Sequence, residues 1–138
     1  MNPANRTLGV LVGLAVAATA LGSLAPLTAS AATTRVTVGC YGSSCADKDP
    51  VDMACSTDAY TVDSASSALG TVELRYSPSC KANWARIYDA SYGQVFWVES
   101  AHNYVQWHAR GATGYSDMVD GSGPTRACIP PETCTAWH

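Results

Sequence analysis

The sequence predicts an all-β fold: a small antiparallel sandwich or partly open barrel, stapled by disulfides, with loop-rich N- and C-terminal segments. Three observations carry this. Beyond residue 32, helical periodicity is nearly absent and turn residues recur about every eight to twelve positions. Several runs alternate apolar and polar residues with the period of a half-buried strand. All six cysteines lie in this part of the chain, and an even count in roughly a hundred residues is the pattern of a disulfide framework.

The first thirty or so residues are set aside before any fold reasoning. Arg6 supplies a basic start, and "LGVLVGLAVAATALGSLA" is an apolar stretch too short and too rich in glycine and alanine for a membrane span. Ala29-Ser30-Ala31 then offers the small residues of a signal-peptidase site. Residues 1–31 are therefore expected to be a signal peptide and residues 32–138 a single secreted domain, free of the membrane after cleavage. The chain carries eight Lys and Arg against eleven Asp and Glu, and the loss of Arg6 leaves seven basic residues. A mildly acidic protein without basic runs is a poor partner for nucleic acid or an anionic membrane.

Export changes how Cys40, Cys45, Cys55, Cys80, Cys128 and Cys134 are read. Zinc modules need short paired spacings such as C-x2-C, whereas four, nine, 24, 47 and five residues separate these cysteines. Three disulfides are the expected state, with no metal and no cofactor.

Taken in order, "RVTV" (35–38) reads as a short strand, and the polar segment 39–58, with three cysteines, as a stapled loop. Its aspartates Asp47, Asp49, Asp52 and Asp58 lack the glycine and terminal glutamate of an EF-hand and are interrupted by Pro50, so they read as solvated turn residues. "AYTVDSASSA" alternates weakly, and Leu69-Gly70 turns it into "TVELRYS", where Val72, Leu74 and Tyr76 share one face against Glu73 and Arg75. "PSCKAN" breaks that strand, and "WARIYDA" resumes it with Trp84, Arg86 and Tyr88 opposite Ala85 and Ile87.

The next pair of runs, "QVFWVESA" and "YVQWHAR", is a hairpin whose faces can be assigned by parity. With His102-Asn103 as a two-residue loop, Val98 faces Trp107, Glu99 faces Gln106 and Trp97 faces His108. Phe96, Val98, Val105 and Trp107 then share the apolar side, and Trp97, Glu99, Tyr104, Gln106 and His108 the other. Beyond Arg110 the Gly- and Pro-rich tail is expected to be mostly loop, tied by Cys128 and Cys134, with His138 frayed at the end.

The polar faces offer the candidate site. Arg75, Trp84, Arg86, Tyr88, Trp97, Glu99, Tyr104 and His108 interleave aromatic rings with charges, the composition of binding hot spots. This predicts recognition of another secreted or cell-surface protein, by a free module or as an adaptor subunit of an extracellular assembly such as a toxin complex, and not catalysis. Should this face prove covered, the loop between Gly111 and Pro124 is the next candidate. The catalytic alternative is a hydrolase of ribonuclease type, with Glu99 and His108 as base and acid and Arg75 or Arg86 on the phosphate. The inhibitor alternative places a rigid cleavable loop at Ser79-Cys80-Lys81.

Read together, "CYGSSCADKDP", "ACSTDAYTV" and "VELRYSPSCKANWARI" resemble the YjfA-like domain of unknown function, a family of small secreted proteins of Gram-positive bacteria. The resemblance runs over about residues 39–100 and rests on Cys40, Cys45, Asp49-Pro50, Cys55, Cys80 and Trp84-Ala85-Arg86. It implies actinobacterial export and pairing of the first four cysteines among themselves. It brings no catalytic residue. Proximity alone assigns Cys128 to Cys134.

Overall fold

The computed structural model describes residues 37–138, so the expected signal peptide lies outside the described residues. Among them the regular structure is nine strands and two single 3-10 turns, with no α-helix. One sheet is ordered β1 (Tyr60–Ser67), β2 (Gly70–Ser77), β3 (Ala82–Tyr88) and β6 (Gly114–Tyr115), with β7 (Val119–Asp120) also pairing β3. The other is ordered β5 (Tyr104–His108), β4 (Val95–Ser100), β8 (Thr125–Ile129) and β9 (Thr133–Cys134). Every pairing is antiparallel. The sheets do not close on each other, and the fold is an open sandwich.

Alternation explains the core. Val72, Leu74, Ala85 and Ile87 from one sheet meet Phe96, Val98, Val105, Ala127 and Ile129 from the other in one buried cluster. The outer residues of each strand therefore lie on opposite sides of the molecule. Among the described residues every buried side-chain nitrogen and oxygen has a hydrogen-bond partner: Ser116 Oγ accepts the Ala85 N–H at 3.0 Å, and Asn83 donates to the Arg75 carbonyl at 2.9 Å.

A second cluster sits on the outer side of β3. Cys40, Cys45, Cys55, Cys80, Trp84, Ala82 and Met118 pack together there, because the segment before β1 folds across the sheet. That segment is held by Cys40–Cys45 and Cys55–Cys80, by Gly42 N–H to the Cys80 carbonyl at 2.8 Å, and by a reciprocal pairing in which Asp47 N–H donates to the Met118 carbonyl and Met118 N–H to the Lys48 carbonyl. The pairing of the first four cysteines among themselves is thus seen, as is Cys128–Cys134.

Four expectations need correction. Thr37 and Val38 form no strand, and the rest of "RVTV" lies outside the described residues. The β1–β2 turn is Ala68-Leu69, with Gly70 opening β2 at φ +127°, where a Cβ would stand 2.6 Å from the Tyr88 carbonyl oxygen. The β4–β5 register is displaced by two residues: Glu99 faces Tyr104 and Val98 faces Val105 around a four-residue loop. Ser100 Oγ accepts the N–H groups of His102 and Asn103, and Ser100 N–H donates to the Asn103 carbonyl at 2.8 Å, which stabilises the longer turn. The C-terminal segment is also more than loop. It supplies β6 to β9, and His138 is not frayed, since it exchanges backbone hydrogen bonds with Thr125 at 2.8 and 3.0 Å.

Candidate functional site

The expected binding residues do not form one face. Trp84 is 3% exposed, sealed beneath the cysteine-rich segment, and is withdrawn from the site. Arg75, Arg86 and Tyr88 lie on the outer face of the first sheet and are gathered around Glu73. Its Oε2 accepts from Thr61 Oγ1 at 3.1 Å, Arg86 Nε at 3.0 Å and Tyr88 OH at 3.0 Å. Arg75 spends its donors on Thr61 Oγ1 at 2.6 Å and the Ala59 carbonyl at 2.9 Å. Such a network is satisfied from within and holds few free donors for a partner.

Trp97, Glu99 and Tyr104 lie on the outer face of the second sheet. The two rings stand 6.1 Å apart, and Glu99 Oε1 accepts from Arg126 Nε at 2.6 Å, while the Arg126 guanidinium covers the Trp137 ring at 4.6 Å. His108 shares their face but stands opposite Val95, four positions along β4 from Glu99. At about 3.4 Å per residue that is roughly 13 Å of strand, so Glu99 and His108 do not form an acid–base pair. Arg75 and Arg86 belong to the opposite side of the sandwich.

The turn at Ser79-Cys80-Lys81 is pulled inward. Cys80 is fully buried, Ser79 N–H donates to Asp58 Oδ2 at 2.8 Å, and Ser77 Oγ donates to Asp58 Oδ1 at 2.6 Å. Burial raises the Asp58 carboxyl, but these hydrogen bonds outweigh it and hold the group below its ordinary value. Asp58 is therefore a structural clamp and not a solvated turn residue.

A different site appears where the sandwich stays open. β5 and β6 are the edges of the two sheets, and the chain from Ala109 to Thr113 bridges them. Two hollows adjoin there, of about 510 and about 320 Å³, and share Trp107, His108 and Arg110. Tyr92 and Gly93 line the first, whereas Asp49, Tyr115 and Asp117 line the second. Trp107 is on the inner face of β5, where it packs against the core and stays partly exposed. His108 Nδ1 stands 3.4 Å from the Gly93 carbonyl, and Tyr115 OH donates to Asp49 Oδ2 at 3.4 Å.

The second hollow is electronegative. Burial raises the Asp117 carboxyl, and repulsion from Asp49, Asp47 and Asp52 raises it further. Burial, and after it Asp49, Asp52 and Asp117, raise the Tyr115 hydroxyl. Of the eight expected residues only His108 falls in this groove. Tyr115 and Asp117 belong to the stretch from Gly111 to Pro124, and Asp49 to the stapled loop. The aromatic and acidic residues of these turns were the signal available, but their convergence is a product of tertiary folding.

Among the described residues no helix is long and apolar enough to cross a membrane. A family model described as a protein of unknown function, DUF2690, matches residues 43–128, which spans every residue named in the groove. No curated protein and no solved structure matches the chain.

Proposed function

Since the chain belongs to the DUF2690 family, whose description assigns no function, we propose that it is a secreted, non-catalytic binding module that docks another extracellular protein through the groove between β5 and β6. Its finer likeness, to the YjfA-like proteins exported by Gram-positive actinobacteria, is part of this proposal. Three disulfides and no free cysteine among the described residues support an oxidising location. The observation that carries the reading is the junction of the two hollows at Trp107, His108 and Arg110, with aromatic rings at hand and carboxylates clustered at one end. Aromatic rings and arginine are the side chains that concentrate binding energy. Asp49 and Asp117 favour a partner segment that brings lysine or arginine, since complementary charge steers encounter and fixes register.

The test is a pull-down from culture supernatant with the full secreted chain as bait. A stoichiometric protein partner is expected. Trp107→Ala and the pair Asp49→Asn with Asp117→Asn should each weaken it by about 30-fold, the scale of a hot-spot truncation near 2 kcal/mol. Trp97→Ala, on the outer face of the second sheet, should leave affinity unchanged. Recovery of the bait alone, or a partner retained by the groove variants and lost by Trp97→Ala, would overturn the assignment.

A further inference from the structure

The cysteines that staple the N-terminal segment stand closer together than stapling requires. Cys40 precedes and Cys45 closes the 3-10 turn Gly42–Cys45, Cys55 opens a second turn, and Cys80 lies in the β2–β3 turn. All four Sγ atoms nonetheless lie within 4.8 Å of one another, and no residue of the four is more than 8% exposed. Two disulfides could tie this segment down at separate points, so nothing in that role demands that the bridges touch.

A tetrahedral four-thiolate zinc ion does demand it. With Zn–S near 2.3 Å the sulfurs stand about 3.8 Å apart. Cys40 Sγ and Cys55 Sγ, from different bridges, are already 3.8 Å apart. The bonded pairs would have to open by less than about 2 Å, and the widest separation to close by about 1 Å. Spacing conceals the set, because four, nine and 24 intervening residues match no short paired motif.

We propose that in the reduced chain Cys40, Cys45, Cys55 and Cys80 form a four-thiolate site for Zn²⁺. Each of the two disulfides takes two electrons and two protons from a dithiol, which becomes a disulfide, or two electrons from a phosphine, which becomes its oxide while water supplies the oxygen and the two protons, giving four thiols. Zn²⁺ then displaces four protons and forms four Zn–S bonds. The same segment is thereby pinned across β3 in two ways, by covalent bridges when oxidised and by the ion when reduced. Cys128–Cys134 joins β8 to β9 in the other sheet and takes no part.

The experiment uses the full secreted chain, reduced with a phosphine under anaerobic conditions and titrated with Co²⁺ as a spectroscopic probe, then with Zn²⁺. One Co²⁺ per chain is expected, with the visible bands of tetrahedral four-sulfur coordination, displaced by Zn²⁺. Zinc should raise the melting temperature of the reduced chain, or restore its fold if reduction unfolds it. The double variant Cys128→Ser with Cys134→Ser should keep the bands, and Cys40→Ser with Cys45→Ser should lose them. The proposal is overturned if the reduced chain takes up no Co²⁺ in tetrahedral form, if zinc neither stabilises nor refolds it, or if the bands survive without Cys40 and Cys45.

Discussion

Removing the Cys55–Cys80 bridge should cost the oxidised protein clearly more than removing either of the others. A bridge constrains the unfolded chain in proportion to the logarithm of the loop it closes. The sequence separations are 25 for Cys55–Cys80, 5 for Cys40–Cys45 and 6 for Cys128–Cys134. Loop-closure entropy then gives about 3.5 kcal/mol for the first and about 2 kcal/mol for each of the others at 25 °C. The difference has a structural counterpart, since Cys55–Cys80 alone joins the stapled segment to the β2–β3 turn. Three double variants, each replacing one pair of cysteines by alanine, are to be unfolded in urea under non-reducing conditions. Midpoint shifts at constant slope give the differences in stability. Equal losses, or a larger loss from Cys40–Cys45, would refute the loop-closure reasoning and mean that local packing of the sulfurs sets the ranking.

Phe96→Ala should destabilise the fold by about 3 to 5 kcal/mol, as loss of a fully buried ring does, whereas Trp107→Ala, half-covered at the open edge, should cost clearly less; chemical denaturation compares them. Gly70→Ala should cost about 1 to 3 kcal/mol, because it forces a side chain into a glycine-only conformation and against the Tyr88 carbonyl, and a thermal melt reads the loss. Hydrogen bonds from the His138 ring and from the N–H groups of Ala136 and Ser64 hold the Asp63 carboxyl below its ordinary value. A carboxyl depressed on folding stabilises above its unfolded value and loses that contribution as pH falls through its folded one. Acidification below about pH 4 should thus weaken the hold of Asp63 on the C-terminal segment. The protection factor of the Ala136 amide against hydrogen exchange should then fall in the native protein, and Asp63→Asn should show the lower protection already at neutral pH.

Parity and register separate what was legible from what was not. The faces of the β4–β5 hairpin followed from alternation, and they survived a displacement of two residues because an even displacement preserves parity. The displacement itself depends on the Ser100 hydroxyl capturing two backbone N–H groups, which alternation does not register. Trp84 has the parity of an outer residue and is buried all the same, because a strand pattern does not say what folds over it. "TRACI" carries no strand signal of its own, since Ala127, Cys128 and Ile129 are all buried and leave no polar alternation to mark β8. The groove has no local sequence signature, because Asp49, Trp107 and Tyr115 come from three separate stretches brought together by tertiary folding.

The placement of β8 bears on when the protein can become folded at all. This strand adds to the edge of β4, yet its Thr125 follows its partner Ser100 by 25 positions, and Thr125 pairs in turn with His138. As the chain emerges from a ribosome or a translocation channel, the first sheet can gather β1, β2 and β3 early. The second has only an isolated hairpin until β8 is out, and two strands alone are marginal in water. Closure of the core therefore waits for β8. A chain stalled before Thr125 would present Phe96 and Val98 to solvent as an open surface for chaperones and proteases.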